Sequence, residues 1–159
     1  MRRYSSIFAT ETHMPVTQLS QFKRWSSFVM GFFLNGRPIG SGCLGKPGRY
    51  LRKKLKVVLQ CALQTEDVRL EKSYRNKGHG IHLYKALIET ARSIGAIRIY
   101  SSATLNDKSR RMWAEKLPRI YKVNVIHTRR PCYSCGNRTT RIEGYYIDFT
   151  EKGNEPKSI

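Results

Sequence analysis

The chain has 159 residues and a formal net charge of +19, from 30 Lys and Arg against 11 Asp and Glu. This length suffices for one substantial core but not for two, so a single domain over residues 1–159 is expected. The sequence has no run of 18 apolar residues and no apolar stretch behind Met1-Arg2-Arg3, which argues against a membrane-spanning helix and a secretory signal. Four cysteines are too few for a disulfide framework, so a reducing, cytoplasmic setting is expected.

The positive charge bears on the partners of the protein rather than on its fold. An excess of this size produces a field that attracts polyanions and raises the rate of encounter with them. A nucleic acid, or a protein bound to one, is therefore a candidate partner. The alternative is a solvated basic surface that only improves solubility.

The N-terminal part of the chain predicts a helix and then a hairpin. Residues 17–25 can form a helix that begins at Thr17 or Ser20, since either side chain can cap a first turn. Segments 28–34 and 38–44 flank Asn35-Gly36. Asn-Gly is typical of type I′ turns, which need positive φ at both central residues, so the two segments are predicted to pair as antiparallel strands.

A basic loop is predicted over residues 45–56. It carries Arg52, Lys53 and Lys54 next to Tyr50. Cations with an aromatic ring between them can hold a phosphate backbone and stack on a base, which makes these three cations candidate nucleic-acid-binding residues. A solvated loop is the alternative interpretation.

A strand, a basic turn and a helix follow in direct succession. Residues 57–70 are long enough for one bent strand, and Arg75-x-x-Gly78-x-Gly80 forms the turn. Residues 80–94 are predicted to form a helix with Gly95 as C-cap. Its apolar stripe, which repeats at helical spacing and is predicted to pack under a sheet, consists of Ile81, Tyr84, Ile88 and Ala91. The first N–H groups of a helix carry partial positive charge and have no partner inside the helix. Glycines let an anion approach them, and basic side chains add full charge, so the turn predicts a pyrophosphate site.

The competing nucleotide motifs are absent. The chain has neither G-x-G-x-x-G after a strand nor G-x-x-x-x-G-K-[ST], which argues against Rossmann and Walker-type sites. The remaining pattern predicts a strand at 96–100, a helix at 107–116 stopped by Pro118, two strands at 121–128 and 141–149, and a frayed tail at 152–159.

Residues 57–149 resemble the GNAT superfamily of acetyl-CoA-dependent N-acyltransferases. The resemblance is carried by the strand-turn-helix around Arg75-x-x-Gly78-x-Gly80, and by Asn106-x-x-Ser109-x-x-Met112-Trp113, which is similar to the family segment Asn-x-x-Ala-x-x-(apolar)-Tyr. It implies an α/β (α+β) domain with a central mixed, mostly antiparallel sheet, one splayed strand and flanking helices. Segment 101–117 also resembles GNAT proteins of bacteriophages, which suggests a viral origin and the cytoplasm of a bacterial host.

The resemblance implies acetyl-CoA as cofactor and a set of residues that bind it. The backbone at Val68 and Leu70 would hold the pantetheine arm, with an N–H polarising the thioester carbonyl. Asn106 would lie near the same arm, although an Asn that opens a helix is equally an N-cap. The pyrophosphate loop consists of Arg75, Asn76, Lys77, Gly78, His79 and Gly80. His79 could touch phosphate or could face solvent.

Amine acyl transfer needs a base for the attacking amine. Glu66 and Asp67 lie near the end of the strand that leads to the turn. Neighbouring strand residues face opposite sides, so only one is expected to point at the acyl carbon, and Glu66 is preferred for its reach. Both carboxylates could instead be solvated, or be counter-ions to Arg69 and Lys54.

The acid that protonates the leaving thiolate is less clear in the sequence. The position at which the family usually carries a Tyr holds Trp113, whose indole N–H is a poor acid and which can simply pack in a core. Tyr121 is the candidate acid; Tyr100, Tyr145 and Tyr146 are further possibilities. Coenzyme A is also a good enough leaving group to depart without an acid.

The cysteines predict neither a covalent intermediate nor a metal. Cys61 is interpreted as a core strand residue, so transfer is expected to be direct. Cys132-x-x-Cys135 is half of a zinc site, with His127 as a third candidate ligand and no evident fourth. A tight turn with two reduced thiols is the preferred interpretation.

Together these features predict an acetyl-CoA-dependent N-acetyltransferase. The acceptor amine belongs to one of three classes: nucleic acid or charged tRNA, a protein lysine or N-terminus, or a small molecule. The charge favours a nucleic-acid-associated acceptor such as tRNA, DNA or a nucleic-acid-binding protein. The alternative function is a catalytically inactive protein of this fold that binds nucleic acid or inhibits a partner.

Overall fold

The computed structural model describes residues 1–9, 28–48, 62–102, 105–131 and 138–154. The strands are β1 (Tyr4–Ala9), β2 (Phe28–Leu34), β3 (Arg37–Gly45), β4 (Ala62–Leu70), β5 (Arg98–Tyr100), β6 (Val123–Pro131) and β7 (Arg138–Asp148). The α-helices are α1 (His79–Ser93) and α2 (Asp107–Arg111). A 3₁₀ turn (Lys72–Tyr74) precedes α1, and α2 continues as a π-helical turn (Met112–Lys116) and a 3₁₀ turn (Leu117–Arg119).

The described strands form one sheet in the order β1-β2-β3-β4-β5-β7-β6. All neighbours are antiparallel except β4 and β5, which are parallel and are connected through α1. The predicted mixed, mostly antiparallel sheet with flanking helices is therefore confirmed. No helix in these described ranges has the length and apolarity needed to cross a membrane.

The predicted hairpin is confirmed at its turn. Asn35 and Gly36 have φ values of 50° and 78°, and they connect β2 to β3. Two other early predictions, the helix at 17–25 and the basic loop with Arg52, Lys53 and Lys54, lie wholly or largely outside the described residues. The strand predicted over 57–70 is described from Ala62 onward.

The core lies between the sheet and α1. The helix buries Leu83, Leu87, Ile88 and Ala91 against strand residues that include Met30, Phe32, Ile39, Leu63 and Ile99. At Gly42 a Cβ atom would lie 2.8 Å from Leu87 Cδ1, so the absent side chain lets α1 lie close to β3. The sequence predicted that Ile81 belongs to the buried stripe, but the structure leaves it only half-buried.

β4 has a bulge in its pairing with β3, and its pairing with β5 is short. Cys43 of β3 pairs with Glu66, and Ser41 pairs with Arg69, so β4 contains one residue more than β3 over this interval. Asp67 has φ 46° and is out of the ladder together with Val68. On the other side, β4 pairs with β5 only as far as Gln64 and Tyr100. The two parallel strands then diverge, as the resemblance implied.

The C-terminal half follows its prediction, with one difference in detail. The predicted helix at 107–116 is present as α2 and the π-helical turn, and it ends at Lys116. Pro118 lies within the 3₁₀ turn that follows, because the first positions of a helical turn need no N–H donor. The two predicted strands at 121–128 and 141–149 are β6 and β7, and they pair as the expected antiparallel hairpin.

Candidate active site

A cleft of about 260 Å³ opens where β4 and β5 diverge. One wall is the bulged segment of β4, and the other is formed by α1 and the segment that leads into α2. Its lining residues are Thr65, Glu66, Asp67, Val68, Arg69, Tyr84, Ser102, Asn106 and Ser109. The predicted catalytic carboxylates and two predicted cofactor residues therefore lie in one cavity.

The turn in front of α1 has the backbone of an anion site. Asn76 and Gly78 adopt the left-handed conformation, with φ 60° and 85°. Gly78 is the N-cap; no side chain caps the helix, and its first turn contains no acidic residue. The N–H groups at this end therefore remain for an external acceptor, and the helix dipole favours an anion there.

The two glycines of the motif serve different purposes. A Cβ atom on Gly78 would meet nothing within 4 Å, so a glycine is favoured there by its φ of +85°. A Cβ atom on Gly80 would lie 3.1 Å from Met112 Cε. Close packing of α1 against the Met112–Lys116 turn thus explains Gly80, in addition to the anion approach predicted for it.

Arg75 holds this turn to the end of β4. Its Nε donates a hydrogen bond of 2.7 Å to the Leu70 carbonyl oxygen. The side chain is exposed, and so is that of Lys77. Arg75 thus fixes the turn through one N–H, while both cations place positive charge beside the helix N-terminus.

His79 does not face solvent, because its imidazole is packed beneath the turn. The residue is 4% exposed, and its Nδ1 lies 3.0 Å from the Tyr4 hydroxyl in a hydrogen bond. The Tyr74 ring contacts it edge-on at 5.8 Å. Burial, and then the charges of Arg2 and Lys77, lower the pKa of His79. The imidazole therefore supports the turn from below, and the backbone of His79 begins the helix.

Glu66 and Asp67 both belong to the lining of the cleft, although neighbouring residues of a regular strand would face opposite sides. The bulge breaks the alternation of side chains along β4. Glu66 is half-buried, and burial, followed by repulsion from Asp67, raises its pKa. Asp67 is 70% exposed and forms a 3.2 Å ion pair with Arg69. This ion pair matches the alternative interpretation given for Asp67, whereas Glu66 is half-buried and has a raised pKa.

The structure does not bring Tyr121 to the cleft. Its hydroxyl donates a 2.6 Å hydrogen bond to Glu89 Oε1, and burial together with this carboxylate raises its pKa. Glu89 follows the start of α1 at His79 by ten residues, or about 15 Å of helix. Tyr121 was a reasonable candidate from its distance in the sequence. Its hydrogen bond to Glu89 places it beside the part of α1 that is distant from the turn at Gly78.

Trp113 is a core residue, which agrees with the interpretation that it packs in the core. It is fully buried, stacks on Tyr145 at 6.4 Å and meets the edge of Tyr84 at 6.2 Å. Tyr100 and Tyr146 pack against each other at 5.5 Å, away from the cleft lining. The phenol that does line the cleft is Tyr84, which the sequence reading assigned to the core because it lies on the apolar stripe of α1.

Asn106 caps α2 and also belongs to the lining of the cleft. Its Oδ1 accepts a 2.9 Å hydrogen bond from the Ser109 N–H and so caps α2, and its side chain also lines the cleft. Val68 lines the cleft too, and Leu70 contributes the carbonyl that Arg75 holds.

Of the candidate metal ligands Cys132, Cys135 and His127, the structure describes His127. Cys61, Cys132 and Cys135 lie outside the described residues, and within the described ranges no group of three or more His, Cys, Asp or Glu is placed to hold a metal ion. His127 is exposed on β6. Cys43 is half-buried beside the carboxylates, and burial raises the pKa of its thiol, which makes it a poor nucleophile.

Comparison with known proteins assigns the family. The model of the acetyltransferase (GNAT) family matches residues 2–117, so the similarity reaches further towards the N-terminus than the sequence motifs suggested. Among curated proteins, none matches the chain.

Solved structures share the fold at low identity. yncA from Salmonella typhimurium, determined with its cofactor acetyl-CoA, is 17% identical with a TM-score of 0.52, over 84% of this chain and 70% of its own. The IAA acetyltransferase from Bacillus cereus is 12% identical with a TM-score of 0.53, over 92% and 99%. The AHL synthase LasI is 10% identical with a TM-score of 0.54, over 96% and 93%. With the family match over well over half of the sequence, the chain belongs to the GNAT family of acetyltransferases, which use acetyl-CoA.

Proposed function

We propose that this acetyltransferase transfers the acetyl group directly from acetyl-CoA to an amine that is carried by a nucleic acid or by a nucleic-acid-associated molecule in the cytoplasm. The observation that supports direct transfer is that one segment of the chain places a half-buried carboxylate in the cleft and, a few residues later, forms the turn proposed as an anion cradle. The uncapped N-terminus of α1 lies at one end of β4, and Glu66 lies at the bulge.

The residues present fit acetyl-CoA. The left-handed backbone at Asn76 and Gly78, the free N-terminus of α1 and the charges of Arg75 and Lys77 suit the pyrophosphate. Asp67 and Val68 are out of the β-ladder, so their backbone groups suit the amides of the pantetheine arm. When bound, acetyl-CoA supplies a thioester, which is an activated acyl group with a thiolate as leaving group.

Glu66 is the group proposed to take the proton of the attacking amine, directly or through one water. A base works best when its pKa approaches the working pH, and burial shifts Glu66 in that direction. Asp67, which forms an ion pair with Arg69, is proposed to place a second negative charge near the incoming amine. The backbone N–H groups of the bulge are proposed to polarise the thioester carbonyl.

The charge of the protein supports an anionic acceptor. A small cationic amine would be repelled by a protein of net charge +19, whereas an amine on a polyanion would be attracted. Three exposed cations, Lys108, Arg110 and Arg111, lie on the helix whose residues Asn106 and Ser109 line the cleft. Within the described part of the chain, no carboxylate forms an ion pair with any of these three. Arg52, Lys53 and Lys54 are proposed to contribute further positive charge to the binding of this acceptor.

The first experiment measures acetyl-CoA binding by calorimetry. Gly78→Asp places a carboxylate at the cradle and should abolish binding. Gly153→Asp is the matched control, because Gly153 also has positive φ and open surroundings but lies after β7. Equal binding by wild type and Gly78→Asp would contradict the cradle, and absence of binding by folded wild type would contradict the proposed activity.

The second experiment identifies the acceptor with radiolabelled acetyl-CoA. Aminoacylated tRNA, plasmid DNA, a lysine-rich peptide and a free diamine are offered separately at two salt concentrations. The proposal expects labelling of tRNA or DNA that decreases with salt. Arg110→Gln with Arg111→Gln should reduce that labelling more than Arg119→Gln with Lys152→Gln, which removes the same charge elsewhere. Labelling of the diamine alone would contradict the acceptor class, and nucleic-acid binding without transfer would favour the inactive binding protein.

A further inference from the structure

Tyr84 is buried in the core and also lines the candidate active-site cleft. It is 7% exposed, and it is one of the residues that line the cavity opposite the bulge of β4. On α1 it follows Gly80 by one helical turn and so lies on the same face of the helix, below the anion cradle. We propose that the Tyr84 hydroxyl donates its hydrogen to the sulfur that leaves during acetyl transfer. This inference rests on the proposed function.

The surroundings of the hydroxyl suit a group that must transiently carry negative charge. The Ser109 and Trp113 side chains lie close to it, and interaction with each of them lowers the pKa of Tyr84 against the upward effect of burial. The buried Trp113 Nε1 has no hydrogen-bond partner in the described part of the chain. Two side chains with N–H or O–H groups therefore lie beside the phenol and are available to a phenolate.

Tyr84 is also the most suitable acid among the groups that line the cavity. The alcohols of Thr65, Ser102 and Ser109 are too weakly acidic, the carboxylates are needed as anions, and an arginine does not release its proton. A phenol has an ordinary pKa of about 10, near that of a thiol. Burial raises the pKa of Tyr84, so the proton is present at neutral pH.

The proposed step balances as follows. The amine nitrogen forms the new C–N bond with the acyl carbon and loses one proton to Glu66 or to water. The C–S bond breaks, its electron pair stays on sulfur, and the hydrogen of the Tyr84 hydroxyl moves to that sulfur. Glu66 then releases the proton that it took to solvent, and the phenolate regains a proton from solvent in the cleft. The products are the acetylated amine and the coenzyme A thiol, and the enzyme returns to its starting state.

The first test is a binding measurement that needs no acceptor. Calorimetry compares coenzyme A with desulfo-coenzyme A, which lacks the sulfur. Wild type should prefer coenzyme A by about fivefold, the size of one hydrogen bond, and Tyr84→Phe should lose this preference. Tyr145→Phe is the matched control, because Tyr145 is buried against the same Trp113 but does not line the cleft. An unchanged preference in Tyr84→Phe would overturn the inference.

The second test follows thiol release from acetyl-CoA in a single turnover, with the acceptor identified above. Tyr84→Phe should slow release about 100-fold, the lower end of general-acid catalysis, and Tyr145→Phe should not. Replacement of Tyr84 by 3,5-difluorotyrosine should move the alkaline limb of the rate to lower pH, which a packing role would not do. An unmoved limb, or equal loss in both Phe variants, would overturn the inference. Failure of wild type to bind coenzyme A would instead refute the proposed function.

Discussion

Arg75 Nε donates a 2.7 Å hydrogen bond to the carbonyl oxygen of Leu70, the last residue of β4. This one contact closes the turn between the strand that borders the cleft and the helix whose N-terminus forms the anion cradle. Arg75, the first residue of the motif Arg75-x-x-Gly78-x-Gly80, therefore stabilises the shape of the turn and also contributes a positive charge.

Arg75→Ala should weaken acetyl-CoA binding more than Lys77→Ala does. Both variants lose one positive charge beside the cradle, but only Arg75→Ala also loses the bond to Leu70. We expect the dissociation constant to rise about tenfold for Arg75→Ala, the size of a charge-assisted hydrogen bond at an exposed site. Calorimetry of both variants measures this difference. A larger loss in Lys77→Ala would mean that charge alone matters.

Glu66→Gln should reduce turnover about 100-fold or more and leave acetyl-CoA affinity unchanged, because a base acts on the amine and not on the cofactor. Asp67→Asn should have a much smaller effect, since Asp67 is exposed and paired with Arg69. The raised pKa of Glu66 predicts that kcat/KM rises with pH through a limb above the ordinary glutamate value of about 4.3. Loss of this limb in Glu66→Gln checks the assignment, and equal losses in both variants would contradict it.

The histidines under the cradle should make stability depend on pH. Burial is the largest cause that lowers the pKa of both His79 and His82, and the charges of Arg2 and other cations add to it. A pKa lowered by folding means that the unfolded chain binds protons first. The free energy of unfolding should therefore fall as pH drops below about 6.5, and level off below the folded pKa.

Denaturant unfolding between pH 5 and 8 measures this dependence. His79→Gln with His82→Gln should flatten the curve over this interval, because glutamine does not titrate. Tyr4 hydrogen-bonds His79 and stacks on His82 at 4.2 Å, so Tyr4→Phe tests the contact without removing a titrating imidazole. A curve of unchanged slope in the double variant would assign the dependence to other groups.

Gly42→Ala should destabilise the fold by about 1–3 kcal/mol, the usual cost of overpacking a core. The new Cβ atom would lie 2.8 Å from Leu87 Cδ1, which is itself buried. In a Leu87→Ala background the same substitution should cost less, and the double-mutant cycle measures the coupling. Additive effects would show that α1 adjusts without strain.

Local signals account for the parts of the fold that sequence predicted well. Asn35-Gly36 predicts its turn because few residues tolerate positive φ at both positions. Gly78 and the basic residues around it predict an anion site because the chemistry of a helix N-terminus depends on a handful of consecutive residues. The limits of α1 were predicted to within one residue, since an apolar stripe and a terminal glycine mark them.

The structure decided which side chains meet across the cleft. The bulge at Asp67 depends on the pairing of β4 with β3, and both Glu66 and Asp67 line the cleft at this bulge. Tyr121 was a candidate acid by its distance in the sequence, but Glu89 of α1 holds its hydroxyl. Tyr84 was assigned to the core by periodicity, and it is buried there, yet the residue also lines the cavity.

The sequence by itself determined the anion cradle, the strand and helix order and the excess of positive charge, because each follows from neighbouring residues or from composition. The tertiary structure alone decided the membership of the active site. Strand divergence, a bulge and the packing of α1 on the sheet join residues that lie far apart in the chain, and no local pattern encodes those distances.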